Sequence, residues 1–279
     1  MAIKSSVLIT CIVAAVLFSQ TQKPELRSYD FAAKNIVQVE LPKPLKEISG
    51  LAVSNDGKLF AHHDESGDLF QINSADGSVV KKFSLGPRRV SEDFEGIAIA
   101  GDLLYLVTSS GVLYEFAEGN NNEKVPYKVF ETPLLEEYDV EGLCYDPNTK
   151  CLLLACKGYS GLANIGSKAV FAFSLTTKKM ERLPRFLLSL KELEAMLHDK
   201  PFHPSGIEYV PATGTFFILD SYIKSVIEIS PEGKVLQSVK LKNTLHKQPE
   251  GITLLRDGTL CISDEGSNHG TLTFYNKRK

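Results

Sequence analysis

Three glutamates stand immediately before a glycine in the same short setting: Glu95 in DFEGI, Glu141 in DVEGL and Glu250 in QPEGI. Two further copies, EISGL at 47–51 and HPSGI at 203–207, carry Ser49 and Ser205 at that place. Asp93 and Asp139 precede two of the glutamates by two residues, which puts them on the same side of an extended chain. Carboxylates gathered in this way can exchange protons with a substrate or hold a hard cation. Two of them about 4 Å apart repel by about 4 kcal/mol at an effective dielectric near 20, so a converging set needs protons, a fixed cation or a metal ion. Lys157, at the end of LLLACK, is the candidate fixed cation. With no thiolate at hand, the oxygen donors suit Ca²⁺ and argue against zinc, so calcium is the preferred counter-ion. The open alternative is that the polar-Gly pattern serves the architecture alone and solvent fills the space around it.

Whether the chain brings these residues together depends on the spacing of the motif. Its glycines, Gly50, Gly96, Gly142, Gly206 and Gly251, follow one another at 46, 46, 64 and 45 residues, so a unit is about 46 residues long and the third carries 18 extra. The fourth unit reads as four short strands, GIEYV, TFFIL, SVIEI and KVLQSVK, and the first repeats the scheme with tight NDG and ADG turns. Units of this length with four strands each predict a β-propeller. After Gly251 only GITLL, TLCIS and TLTFY remain, and IVQVEL at 36–41 supplies the missing strand. The expectation is an all-β, five-bladed propeller over residues 36–279, its last blade closed by the N-terminal strand, with residues 21–35 as a lead-in. In the third unit, Ser189 and Glu192 form a capping pair ahead of Leu190, Leu193 and Leu197, which predicts one short helix packed on the blade rim. GNNNEK at 119–124 reads as a polar loop.

In such a blade, antiparallel order places the start of the first strand and the end of the second at one end of the channel. The motif residues therefore form a ring with Asp64, Glu65, Lys157, Asp220, Asp264 and Glu265 from the second-strand ends. His203 can join it, or serve as a hydrogen-bonded structural residue. His62 and His63 are neighbours on one strand and point to opposite faces, so they cannot chelate jointly.

The chain has 279 residues, 43% of them hydrophobic, and 31 basic against 34 acidic residues give a net charge of −3. This balance excludes disorder, coiled coil and nucleic-acid binding. Residues 1–20 differ: Lys4 precedes the uncharged apolar run Val7 to Phe18, which reads as a secretory signal. An uncleaved membrane anchor is the alternative, although the run is short of the roughly 20 residues that span a bilayer. In an exported chain Cys144 and Cys151, which flank the turn-like YDPNTK, could pair across a hairpin or remain buried thiols.

The motifs DFEGIAI, VEGLCYDP, LLLACKG, HPSGIEYVP, QPEGITLLRDG and LCISDEG, in this order, resemble the SdiA-regulated β-propeller family. The resemblance implies an exported or envelope-associated five-bladed propeller with a calcium site and a regulatory role. It points to Glu95, Glu141, Glu250, Lys157 and Glu265. With Asp64 of the ring, these carboxylates make up the expected calcium ligands, and Lys157, Asp93, Asp139, Asp264, Ser205 and His203 the polar companions. Unit two departs from the pattern, since its second strand ends in Thr108, Ser109 and Ser110. Two other functions compete. A hydrolase (glycosidase, phosphoesterase or lactonase) could use the same acids, with Tyr159 or Tyr222 as a platform in a chain that has no Trp. A protein-interaction platform, with structural calcium or none, could use the rigid ring. The ligand at the mouth, protein or small molecule, is not specified, and phosphate-loop, zinc-protease and serine-elbow motifs are absent.

Overall fold

A computed structural model describes residues 23–34, 36–197 and 201–278. The expected signal or anchor segment lies outside these residues; among them no helix is long and apolar enough to cross a membrane.

Five antiparallel sheets follow one another around an axis. Their innermost strands are Ile48–Val53, Phe94–Ala100, Val140–Asp146, Pro204–Val210 and Pro249–Leu254. Each contacts the next, and the fifth contacts the first, so the ring is closed. Closure is by the N-terminal strand Val37–Glu40, which pairs with Thr271–Tyr275 as the outermost strand of the last blade. This is the arrangement the missing strand of the last repeat predicts, and it removes an open sheet edge.

Because each sheet stands edge-on to the axis, its two faces bury against two neighbours. The buried apolar residues accordingly fall into five clusters, one per junction between blades. The closing junction is typical, with Ile48, Leu51 and Ala61 of the first blade against Cys261 and Leu272 of the last. Strands in such a sheet are buried on both sides, which is why runs such as LFAH, LLLAC and TFFIL read as continuous apolar segments rather than alternating ones.

The insertion in the third unit forms the helix Leu190–Met196, with the Ser189 hydroxyl accepting the Glu192 N–H. Leu193 and Leu197 pack into the cluster between the third and fourth blades. Part of the 119–124 segment is more ordered than a loop: Lys124–Val125 adds a parallel edge strand to Val79–Leu85 of the first blade. Cys144 and Cys151 are free thiols. Cys144 stands opposite Leu153 and Cys151 opposite Asp146, so the two are diagonal and not facing. Diagonal positions lie about 7–8 Å apart, beyond the span of a disulfide, so of the two alternatives the buried thiols are the one the structure shows.

Candidate functional site

The same irregularity occurs in all five inner strands. Phe94 pairs with Thr108 and Gly96 with Val107, which leaves Glu95 without a partner. Glu141, Ser205 and Glu250 are skipped in the same way, and in the first blade the ladder jumps from Ile48 to Leu51 across Ser49 and Gly50. A β-bulge re-aims the extra residue, and here it turns the side chain before each glycine out of the sheet toward the axis. The glycine has a packing reason. A Cβ on Gly206 would come within 2.9 Å of the Glu250 carbonyl oxygen, and one on Gly142 within 3.0 Å of Ile207 N. Inner strands meet backbone to backbone there, which only glycine permits.

Glu95, Glu141, Ser205 and Glu250 thus line one axial space together with the motif glycines. The room for the centre of a water-sized sphere is about 10 Å³, enough for one water or one bare ion. Lys157 donates to Glu141 Oε1 at 2.6 Å and lies 4.0 Å from Asp139 Oδ2. Among the described residues, Glu95 receives only the Ser49 hydroxyl, at 3.3 Å.

One ammonium does not balance three carboxylates, and their protonation reflects it. Glu95 is pushed up to about 10, by burial first and then by the charges of Glu141, Asp93 and Glu250. Burial raises Glu141 to about 7 even though Lys157 opposes it, and Asp139 and Asp93 add to the rise. Glu250 is raised to about 8 by burial and by Glu141, against a hydrogen bond from Gln248 and the Lys157 charge. Lys157 is itself held above the usual lysine range: burial lowers it, but Glu141, Asp139 and Glu250 outweigh burial.

The five expected ligands do not form one set. Asp64 and Glu265 belong to a second acidic group nearer the surface, where burial and mutual repulsion with Glu47 raise both. The link between the groups is Gln248, whose amide bonds Glu265 and also holds Glu250 down. The motif pattern does not single out Gln248 and Glu47, although each opens a motif copy in register with Asp93, Asp139 and His203. Asp93 lies outside the inner three and acts on Glu95 and Glu141 through its charge.

Two residues of the expected ring, Asp264 and Asp220, point elsewhere, and two more, Ser205 and His203, stay at the ring with their polar groups engaged or packed. Asp264 is buried, and its Oδ2 pairs with His246 Nδ1 at 2.7 Å while His246 Nε2 meets the Tyr275 hydroxyl at 2.6 Å. A carboxylate locked into a fully buried Asp–His–Tyr chain is not available at the mouth, so its assignment there is corrected. Asp220 is equally buried and accepts the backbone N–H groups of His203 and Ile223, which pins the mouth loops of the fourth blade. Ser205 lines the axial space, but its hydroxyl donates to the Pro249 carbonyl at 2.9 Å. The His203 ring packs against Tyr222 at 5.2 Å and burial lowers its basicity, so it stands at the mouth as a packed, neutral-leaning imidazole.

The donor chemistry fits a hard cation: carboxylate and hydroxyl oxygens, an excess of negative charge, and room for one ion. Among the described residues no three His, Cys, Asp or Glu side chains are yet close enough to hold one. A nucleophilic serine does not emerge either. Ser66 is fully buried 3.2 Å from His63 Nε2, but the Glu65 N–H donates to His63 Nδ1. That assigns the ring hydrogen to Nε2, which then donates to the serine and cannot take its proton.

The profile of the SdiA-regulated family matches residues 182–277, the fourth and fifth blades with the end of the third. No curated protein matches the chain in sequence. Among solved structures, the chain is similar to a glutaminyl cyclase from Myxococcus xanthus (TM-score 0.61, 15% identity, over 88% of this chain and 96% of that one). It is also similar to a putative oxidoreductase (glucose dehydrogenase) from Thermus thermophilus (TM-score 0.51, 11% identity, over 86% and 100%). At such identities the likeness is one of fold: the chain is a five-bladed β-propeller that resembles the SdiA-regulated family.

Proposed function

We propose that this propeller is an exported, envelope-associated binding and regulatory module whose axial site takes up a calcium ion. The observation that carries the reading is the imbalance of charge: three glutamates from three blades, Glu141 buried and Glu95 and Glu250 largely so, line a space with room for one ion, with one ammonium against them. Glu95, Glu141 and Glu250 would hold the ion, with the Ser49 hydroxyl beside Glu95. The ion would supply two positive charges where the protein now relies on protons. Since the glutamates come from the second, third and fifth blades, filling the site ties separate sheets together and alters the mouth to which a protein or small ligand docks. The hydrolase reading is weaker, because a sugar or phosphoester cannot enter a space of about 10 Å³.

The test is calorimetric titration of residues 21–279 with Ca²⁺, Mg²⁺ and Zn²⁺. Saturable uptake of Ca²⁺ with release of protons is expected, and it should be lost in the Glu95→Gln, Glu141→Gln double variant. Heat that persists unchanged in that variant would move the site elsewhere, and no heat at all would end the calcium reading.

A further inference from the structure

Lys157 sits at the end of the second strand of its blade, and its backbone N–H donates to the Asp139 carbonyl. Ser109, Ser221 and Glu265 make the same bond to Asp93, His203 and Gln248, and Asp64 holds the corresponding place in the first blade. The five equivalent residues are therefore Asp64, Ser109, Lys157, Ser221 and Glu265, two acids, two serines and one lysine. The backbone role of the position makes no demand for a cation, so the lysine is explained by what its side chain reaches. Its ammonium reaches the edge of the axial site, where it engages Glu141 Oε1 at 2.6 Å without lining the open space itself, and the charges of Asp139 and Glu250 also favour it there.

Resting on the cation reading above, we propose that Lys157 is a tethered placeholder: its ammonium occupies the counter-ion position, and a divalent cation enters by displacing it. This accounts for a donor set with the right chemistry that is not gathered around a single point, since one of its three carboxylates is already engaged. The side chain can leave. It is 34% exposed, and the Lys168 ammonium bonds the Lys157 carbonyl, which anchors the main chain while the side chain swings toward the mouth. Lys168 replaces a bond made elsewhere by the next blade: Phe94 N donates to Asp64 O and Val140 N to Ser109 O, but the matching residue here is Pro204. On displacement the Lys157 ammonium would move beside Lys168 and His203, so ion uptake would carry one positive charge from the axis to the rim.

The experiment compares Ca²⁺ titrations of the wild type, Lys157→Ser and Lys157→Arg in alkaline buffer, so that protons compete little. Serine is the residue that two other blades carry at this position, so the fold should accept it, and far-UV circular dichroism checks that. Removing a positive charge this close to the ion should tighten binding by at least about tenfold, and keeping it as Arg should not. Adding Glu95→Gln to Lys157→Ser should abolish the gain. Equal or weaker binding by Lys157→Ser, with the wild type binding, would overturn the placeholder role and leave the cation reading intact. If the wild type does not bind but Lys157→Ser does, the placeholder is upheld in its strongest form. If neither binds, both proposals fall.

Discussion

Replacing Glu95 by glutamine should stabilise the protein, and by an amount that grows with pH. The carboxyl is raised from an ordinary value of 4.5 to about 10, chiefly by burial. In that interval the folded protein keeps a proton that the unfolded chain has released, so wild-type stability falls as pH rises from about 4.5 to about 10. Each pH unit is worth about 1.4 kcal/mol, which puts the penalty at pH 7 near 3 kcal/mol, a large fraction of the usual total. Glutamine has nearly the same shape and no proton to lose, so Glu95→Gln escapes the penalty. It can still accept the Ser49 hydroxyl. Urea denaturation should be followed by far-UV circular dichroism, since the chain has no Trp, between about pH 5 and pH 9 in the presence of a chelator. The difference between variant and wild type should widen steadily toward high pH. A difference that stays flat over that range would mean that Glu95 does not face a crowded, buried acidic neighbourhood, and the account of the axial site would fail with it.

Other outcomes follow from contacts farther from the axis. Glu228 is fully buried and accepts the backbone N–H groups of Glu25 and Leu26 at 3.0 and 2.7 Å and the Thr215 hydroxyl at 2.8 Å. Glu228→Ala should therefore cost about 2–4 kcal/mol and make residues 23–34 an early target in limited proteolysis with mass-spectrometric readout. Tyr275→Phe removes the hydroxyl that meets His246 inside the last blade, and thermal unfolding should show a loss of about 1–3 kcal/mol. Gly206→Ala pushes a methyl group against the Glu250 carbonyl and Ile252. It should cost about 1–3 kcal/mol and weaken Ca²⁺ uptake by spreading the inner strands, both readable in one calorimetric series.

The ring of acids shows how far a one-dimensional pattern reaches. That Glu95, Glu141 and Glu250 gather at the axis is legible from the motif and the antiparallel order of the strands, because strand direction decides which ends lie together. What aims them at the axis is a bulge, and the sequence gives only a weak sign of it in the glycine that follows. Asp264 illustrates the converse. Its position at a strand end places it correctly in height, but His246, eighteen residues earlier and in a different connection, draws its carboxylate away from the mouth. Cys144 and Cys151 flank a turn as expected, and the pairing register then sets them diagonally.

Blade number, strand order and the closing role of residues 37–40 are written in the chain itself, since repeat length, turn residues and a missing last strand are all local or countable properties. The contest between Lys157 and a cation for Glu141, the split of the acids into an inner and an outer group, and the height of the Glu95 proton affinity belong to the assembled ring. They depend on distances between side chains that come from different blades, and those distances exist only once five sheets have packed around a common axis.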